Sequence, residues 1–348
     1  MSKNASTSML VQKIKAEAFS LGFSLFGITD AHAPDQFMVY EQWLDDGMNG
    51  GMEYLKSERH RLVRRDPRFL LEGVRSIIVL GWPYALTVPT AGKANGLIAG
   101  YALQPDYHNS LPALMEHLVD FIRHLMATPF KAKCITDSAP LLERELGQRA
   151  GLGWIGRNSC LISPEKGSSF LMAEILLTLE LPVSEPFLPD RCGTCRRCID
   201  ACPTGCIRPN RTLDAGKCIS YLTIENKKTI PADLRSKVGN WIFGCDVCQS
   251  VCPWNRKQAQ QSANRLHTGA MSPKEMIQAL DESEEQFKTS HRDSPVLRAK
   301  WQGYQRNLIV ALTNLGQRDA IELFKRLIEV SGDEEMLELL HWAVTSLA

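Results

Sequence analysis

The chain has 348 residues, 44% hydrophobic and 23% charged, with 40 Lys and Arg against 39 Asp and Glu. At roughly 100 to 200 residues per domain, this length predicts two or three domains with cores of their own and excludes a small stapled scaffold; the composition excludes a disordered or fibrous chain. A net charge of +1 excludes polyanion binding driven by total charge, so a nucleic-acid partner needs a local basic patch.

No basic start followed by an apolar stretch marks the N-terminus. No apolar run approaches the roughly 18 residues of a membrane span, so a cytoplasmic protein without membrane contact is expected. Along residues 8–21 the apolar positions Met9, Leu10, Val11, Ala16, Phe19 and Leu21 fit a helix that Gly22 stops, and residues 22–29 read as a strand. A second strand is expected over 76–81, helices over 111–126 and 141–150, and strands over 160–162 and 170–179. This alternation predicts an α/β domain over residues 1–185. Pro182, Pro186 and Pro189 mark a linker into a cysteine-rich segment, residues 186–256. Three helix-period segments, around Leu308 to Leu315, Ile321 to Ile328 and Met336 to Val344, then predict an all-α tail of stacked, HEAT-like hairpins over 257–348.

The eleven cysteines are unevenly placed: none precedes Cys134, nine fall from Cys192 to Cys252, and none follows. In a reducing compartment such clustering points to metal binding or catalysis rather than disulfides. The run Cys192-x2-Cys195-x2-Cys198-x3-Cys202-Pro203 has the spacing of a bacterial 4Fe-4S ferredoxin, in which three thiolates on one tight loop reach three corners of a cube and the fourth serves a neighbouring cluster. A second run, Cys245-x2-Cys248-x3-Cys252-Pro253, lacks its first member, and upstream Cys218 fills that place. The exchange rule assigns Cys192, Cys195, Cys198 and Cys252 to one cluster and Cys202, Cys218, Cys245 and Cys248 to the other. This predicts a two-cluster, bacterial ferredoxin-like α+β domain, with a pair of zinc sites as the competing reading. Cys134, Cys160 and Cys206 are left over and read as small buried hydrophobes.

Clusters carry electrons but supply no substrate chemistry, which moves the question to the N-terminal domain. Gly151-Leu-Gly-Trp-Ile-Gly156 matches G-x-G-x-x-G, yet it follows an expected helix and precedes an expected strand, the reverse of a dinucleotide fingerprint. It reads as a helix-ending turn of close approach. Asp106, in Asp-Tyr-His, and Asp137, in Ile-Thr-Asp-Ser-Ala-Pro, are carboxylates able to donate a proton; Asp137 or Ser138 is equally placed to cap the helix that follows.

The chain resembles the epoxyqueuosine reductase family along nearly its whole length. The likeness rests on Gly27-Ile-Thr-Asp30, Asp106-Tyr-His108, Asp137-Ser-Ala-Pro-Leu-Leu-Glu-Arg144, Ala150 to Gly156, Cys202-Pro-Thr-Gly205, Cys218 to Thr223, Gly244 to Gln249 and Val251-Cys-Pro-Trp-Asn255. It implies a cobalamin-dependent iron-sulfur reductase that converts epoxyqueuosine to queuosine at the wobble position of tRNA, with the α/β N-terminal domain holding the corrinoid. It implies Asp137 as proton donor, its pKa expected to be raised by burial against the cofactor, and Arg64, Asp137, Gly156, Leu161, Met172, Ser220 and Asp246 as cofactor contacts. An external electron donor and a monomeric protein are expected. Gly100 to His108 departs from the family pattern, lacking two basic residues and a glycine. Phosphate contacts are sought among Lys227, Lys228, Arg235, Lys237, Arg256, Lys257, and the stretch from His291 and Arg292 through Arg298 to Lys300 and Arg306. A corrinoid reductase acting on a small molecule and a two-cluster electron carrier are the rival readings.

Overall fold

A computed structural model describes residues 3–88, 95–257 and 270–348. Its first unit runs α1 (Lys3–Ser20), β1 (Leu25–Asp30), α2 (Phe37–Asp45), α3 (Glu58–Arg65), β2 (Ser76–Pro83), β3 (Gly96–Ile98), α4 (Tyr107–Leu125), β4 (Ala132–Ile135), α5 (Glu143–Arg149), β5 (Trp154–Ile155), β6 (Leu161–Ile162) and β7 (Phe170–Leu177). Strands β1, β2, β7 and β4 form one sheet in that order.

Alternation along β7 gives the sheet two buried faces. Ala173, Ile175 and Leu177 pack with Ile14 of α1 and Leu111 and Met115 of α4, while Phe170, Met172 and Leu176 pack with Leu146 and Ala150 of α5. The α/β reading is corrected in one respect: every pairing in this sheet is antiparallel. Hydrophobic period separates strand from helix, but strand direction depends on where each connection re-enters the sheet. The glycine turn behaves as its context suggests. Gly151 ends α5 at a φ of 79°, and a Cβ on Gly153 would strike the Ile162 carbonyl across the β5–β6 hairpin.

The stretch expected to be a free linker is pinned to this unit. Ser184 accepts from the Ile28 N–H at 3.0 Å through its hydroxyl, and Phe187 N–H donates to Gln148 O at 2.9 Å. The cysteine segment follows as short pieces: α6 (Arg197–Asp200), α7 (Ile219–Ile224), α8 (Ala232–Val238), β8 (Trp241–Phe243) and α9 (Val247–Ser250). The last part comprises β9 (Ala270–Met271), α10 (Pro273–Leu280), α11 (Glu284–Ser290), α12 (Lys300–Asn314), α13 (Ile321–Val330) and α14 (Glu334–Leu347). Ser272 and Ser283 start α10 and α11 with reciprocal capping boxes.

Packing does not follow chain order. β3 pairs parallel with β8 and antiparallel with β9, and a single core joins Leu97 and Ala99 to Trp241 and Phe243 and to Leu308 through Leu312 of α12. Polar ties reinforce this junction. The fully buried Asn255 accepts from Ser168 N–H at 2.6 Å and donates to Ser168 Oγ at 2.9 Å, so both partners stay satisfied inside the fold.

Candidate active site

The site starts from a cap. Asp106 begins α4 by accepting from His108 N–H at 3.0 Å, and the same Oδ1 lies 2.8 Å from His108 Nδ1. This fixes the ring faces of Tyr107 and His108, which stack at 4.1 Å. Opposite them, after β4, Asp137 takes a left-handed backbone with φ 49°, a conformation aspartate tolerates better than most residues. The cap of α5 is Leu142, so the capping role considered for Asp137 is not the one it has. Instead Asp137 Oδ2 accepts from Tyr107 Oη at 3.0 Å and from Arg298 Nη1 at 3.0 Å, with His108 Nε2 at 3.7 Å.

The expected upward shift of the Asp137 pKa is also corrected. Burial pushes it up, but His108, the Arg298 guanidinium and the Tyr107 hydroxyl together outweigh burial and hold the carboxyl below its ordinary value. His108 moves the other way, raised chiefly by its contact with Asp137. Arg298 also donates from Nε to Glu225 Oε1 at 2.6 Å, so one guanidinium joins the first unit, the cysteine segment and the tail. Glu143, at the start of α5, is pushed up to about 7 by burial and then by the Asp137 charge.

These groups open into a cavity of about 670 Å³ lined by Tyr84, Tyr101 and Asp137 on one side and by Cys218, Ser220 and Tyr221 on the other. A second cavity, about 390 Å³, shares Met52, Leu213 and Ala215 with the first and is lined by Arg64, Glu143 and Ile155. Among the residues named as cofactor contacts, Asp137 and Ser220 therefore face one cavity and Arg64 the other. Leu161 and Met172 lie in the core under α5, and Gly156 ends β5, where a Cβ would strike Ile162. Asp246 is 1% exposed, accepts from Thr87 N–H at 2.8 Å and Gly100 N–H at 2.7 Å, and is pushed up to about 6 by burial.

Between Ile155 and Ser159, which line the second cavity, Arg157 Nε and Asn158 Nδ2 are buried without partners among the described residues. The walls of the two cavities are aromatic, Tyr40, Trp43 and Tyr54 in one and Tyr84 and Tyr101 in the other, with Arg64, Ser159 and Ser220 as polar lining, which suits a flat apolar ring bearing amide arms, so the residues present fit a corrinoid. A further buried group lies beneath α5. Glu174 of β7 is fully buried with both carboxylate oxygens unpartnered among the described residues, and burial raises its pKa far above the usual carboxylate range.

The eight candidate cluster thiols fall into two neighbourhoods. Cys198 and Cys252 lie within electrostatic reach of Cys192, and Cys252 also of Cys195. Cys245 reaches Cys218 and Cys202, and Cys248 reaches Cys245 and Cys218. Among the described residues no three His, Cys, Asp or Glu side chains converge tightly enough to hold a single metal ion. The Trp154 indole donates to Cys192 Sγ at 3.3 Å, the kind of contact that tunes a cluster.

Three of the basic residues considered for phosphate contact have structural work instead. Arg235 is buried against Glu338 at 2.7 Å and the Trp342 ring. Arg306 is buried and donates to the Leu222, Asn226 and Lys228 carbonyls, and Arg298 is held by Asp137 and Glu225. Lys227, Lys228, Lys237, Arg256, Lys257, Arg292 and Lys300 remain exposed. Sequence reasoning missed Arg298, Glu143 and Glu225 as members of the site. Glu143 lies inside the quoted Asp137 to Arg144 motif, but nothing in the sequence links Arg298 to a carboxylate 161 residues away.

Comparison with known proteins follows the same lines. Residues 64–138 match the family model for epoxyqueuosine reductase QueG, DUF1730, and residues 191–255 match the 4Fe-4S double cluster binding domain. The chain is 38% identical to the epoxyqueuosine reductase of Cyclobacterium marinum, covering 85% of this chain and 95% of that protein. It is 36% identical to the epoxyqueuosine reductase of Escherichia coli K12, covering 99% and 91%. The structure of epoxyqueuosine reductase from Streptococcus thermophilus superposes with a TM-score of 0.85 at 28% identity, covering 97% of this chain and 90% of that one. An epoxyqueuosine reductase solved with an epoxyqueuosine-modified tRNA stem loop shares the fold, with a TM-score of 0.83 at 24% identity, covering 98% and 99%.

Proposed function

The chain belongs to the epoxyqueuosine reductase family, and on that premise we propose that it reduces epoxyqueuosine to queuosine in the anticodon of tRNA. One observation carries the reading: Cys218, a candidate cluster ligand, and Asp137, a candidate acid, line the same cavity. Electron delivery and proton delivery thus meet at one place, which neither a two-cluster carrier nor an isolated hydrolytic site requires.

Opening the epoxide to an alkene releases its oxygen as water and takes two electrons and two protons. Cys192, Cys195, Cys198 and Cys252 would hold one cluster and Cys202, Cys218, Cys245 and Cys248 the other, which would supply electrons singly, and a corrinoid bound by the residues of the adjoining cavities would supply a reducible cobalt. This chain's own residues handle the protons and the geometry. Asp137 Oδ2 faces the cavity as the group that protonates the leaving oxygen. Arg298 and His108 hold the Asp137 pKa down, while Asp137 and Asp106 raise that of His108, which makes His108 the neighbouring group that passes the proton on to Asp137. Tyr107 and Arg298 fix the carboxylate from two directions. Arg64, Gly156, Leu161, Met172, Ser220 and Asp246 shape or support the cofactor pocket.

The tRNA contributes an unstacked loop base that can turn into the cavity, and exposed Lys227 and Lys300, within electrostatic reach of Arg298, are the residues to meet its phosphates, with exposed Lys228 next to them in the chain. An external reductant feeds the clusters, and the protein works as a cytoplasmic monomer. The test is mass-spectrometric analysis of tRNA nucleosides from cells lacking this chain. Accumulated epoxyqueuosine, cleared by the restored gene, is the expected result; unchanged queuosine content sinks the reading.

A further inference from the structure

Cys206 is one of three cysteines that the cluster spacing leaves over, yet it is placed differently from the other two. Cys134 sits on β4 against the α1/α4 core, and Cys160, just before β6, is within electrostatic reach of Cys248, Cys252 and Cys218 but has no thiol hydrogen bond to any of them. Cys206 follows the Cys202-Pro203-Thr204-Gly205 turn, where Gly205 takes a φ of 64° and folds the chain back on itself. The return is fixed by Asp214 N–H donating to the Cys206 carbonyl at 2.9 Å and by the Ile207–Leu213 bridge. As a result the buried Cys206 Sγ lies 3.5 Å from Cys202 Sγ, with the Cys218 thiol as its next electrostatic neighbour. A fifth thiol therefore stands among the four assigned to the second cluster, touching Cys202.

We propose that Cys206 is a reserve ligand of the second 4Fe-4S cluster, able to take the iron that Cys202 holds. This rests on the two-cluster reading above. Adjacent thiols at van der Waals separation can reach one iron corner with a side-chain rotation, whereas ligands of different corners are set apart by the cube itself. The exchange is a ligand substitution without electron transfer. The Cys206 sulfur forms the Fe–S bond as the Cys202 Fe–S bond breaks, and the Cys206 thiol proton passes to the departing Cys202 sulfur 3.5 Å away; in a variant lacking Cys202 that bond is never formed and the proton is lost to solvent. Such a spare thiol keeps the cluster four-coordinate when Cys202 is oxidised or displaced.

The experiment uses the full chain, purified and reconstituted anaerobically, with iron quantitation, electron paramagnetic resonance of the reduced protein and circular dichroism melting. Wild type and Cys206→Ala are expected to hold about eight irons per chain, four per cluster. Cys202→Ala is expected to keep about eight, with the spectrum of one cluster altered, while Cys202→Ala/Cys206→Ala falls to about half. Cys202→Ser, closer in shape to the native residue, repeats the measurement should the alanine variant melt early. A Cys202→Ala or Cys202→Ser protein as depleted as the double variant, yet still folded, overturns the proposal. Wild type with zinc in place of iron instead removes the two-cluster reading on which it stands.

Discussion

Asp137→Asn separates chemistry from architecture at this site. Asparagine keeps the shape and leaves an amide oxygen for Tyr107 and Arg298, but it carries no charge and no transferable proton. Two unit charges about 4 Å apart attract by about 4 kcal/mol at an effective dielectric of 20 and by about 1 kcal/mol in bulk water. The Asp137 and Arg298 side chains are 50% and 43% exposed, so the smaller figure applies, and relief of the carboxylate's own burial offsets part of it. The structural loss is then at most about 1 kcal/mol, a melting shift of about 2–4 °C for a unit of this size. A general acid contributes about 10²–10⁴ in rate, or about 3–5 kcal/mol of barrier. Measured on isolated tRNA by nucleoside mass spectrometry, turnover should fall by that factor while stem-loop binding and melting stay near wild type. His108, deprived of the carboxylate that holds its pKa up, should titrate lower by NMR. Turnover within tenfold of wild type, or a melting loss large enough to account for the defect, would refute the reasoning.

Glu174→Gln tests the unpartnered carboxyl beneath α5. Its folded pKa is raised, so its stability contribution is complete below the unfolded value of about 4.3 and is lost as pH rises towards the folded one. The variant should gain on wild type in melting temperature as pH rises above the unfolded value, and a difference constant with pH would dispose of the idea. Trp154→Phe removes the donor to Cys192 Sγ and should make one cluster harder to reduce, its midpoint moving negative in a potentiometric titration; an unmoved or positive midpoint speaks against that role. Lys227→Gln with Lys228→Gln should flatten the salt dependence of stem-loop affinity by about one to two units of log–log slope. An unchanged slope places the phosphates elsewhere.

The parts of this protein legible in the sequence are those whose spacing is itself the chemistry. Cysteine intervals of two and three residues reflect how a short loop meets the corners of a cube, and Cys218 could be recruited because one member was missing. Helix and strand periods located the longer elements, among them β1, β2, α4, α5 and β7, to within a few residues, since burial repeats along the chain, but not α2, α3, β3, β4 or the short pieces of the cysteine segment. What was hidden depends on distant partners. Asp137 looked like a helix cap because Pro140 follows it, but its carboxylate is claimed by Arg298 from the tail. Arg235 and Arg306 looked like solvated basic residues, yet backbone carbonyls and Glu338 satisfy them inside the fold. Gly96–Ile98 is too short to carry a period and becomes a strand because Trp241–Phe243 and Ala270–Met271 lie on either side of it.

That three-residue strand has a consequence for synthesis. Leu97 leaves the ribosome well before its partner Trp241, with about 140 residues between them, and at about 5–20 residues per second the wait is on the order of ten to thirty seconds. Through that interval the edge around Leu97 and Ala99 is apolar and unmatched, although the four-stranded sheet can close once β7, ending at Leu177, has emerged. The remaining cover, Leu308 to Leu312, emerges later still. A ribosome that stalls, or a message cut short of the tail, therefore releases a chain with a finished first sheet and an adhesive seam, which makes this junction a natural holding point for chaperones on the nascent protein.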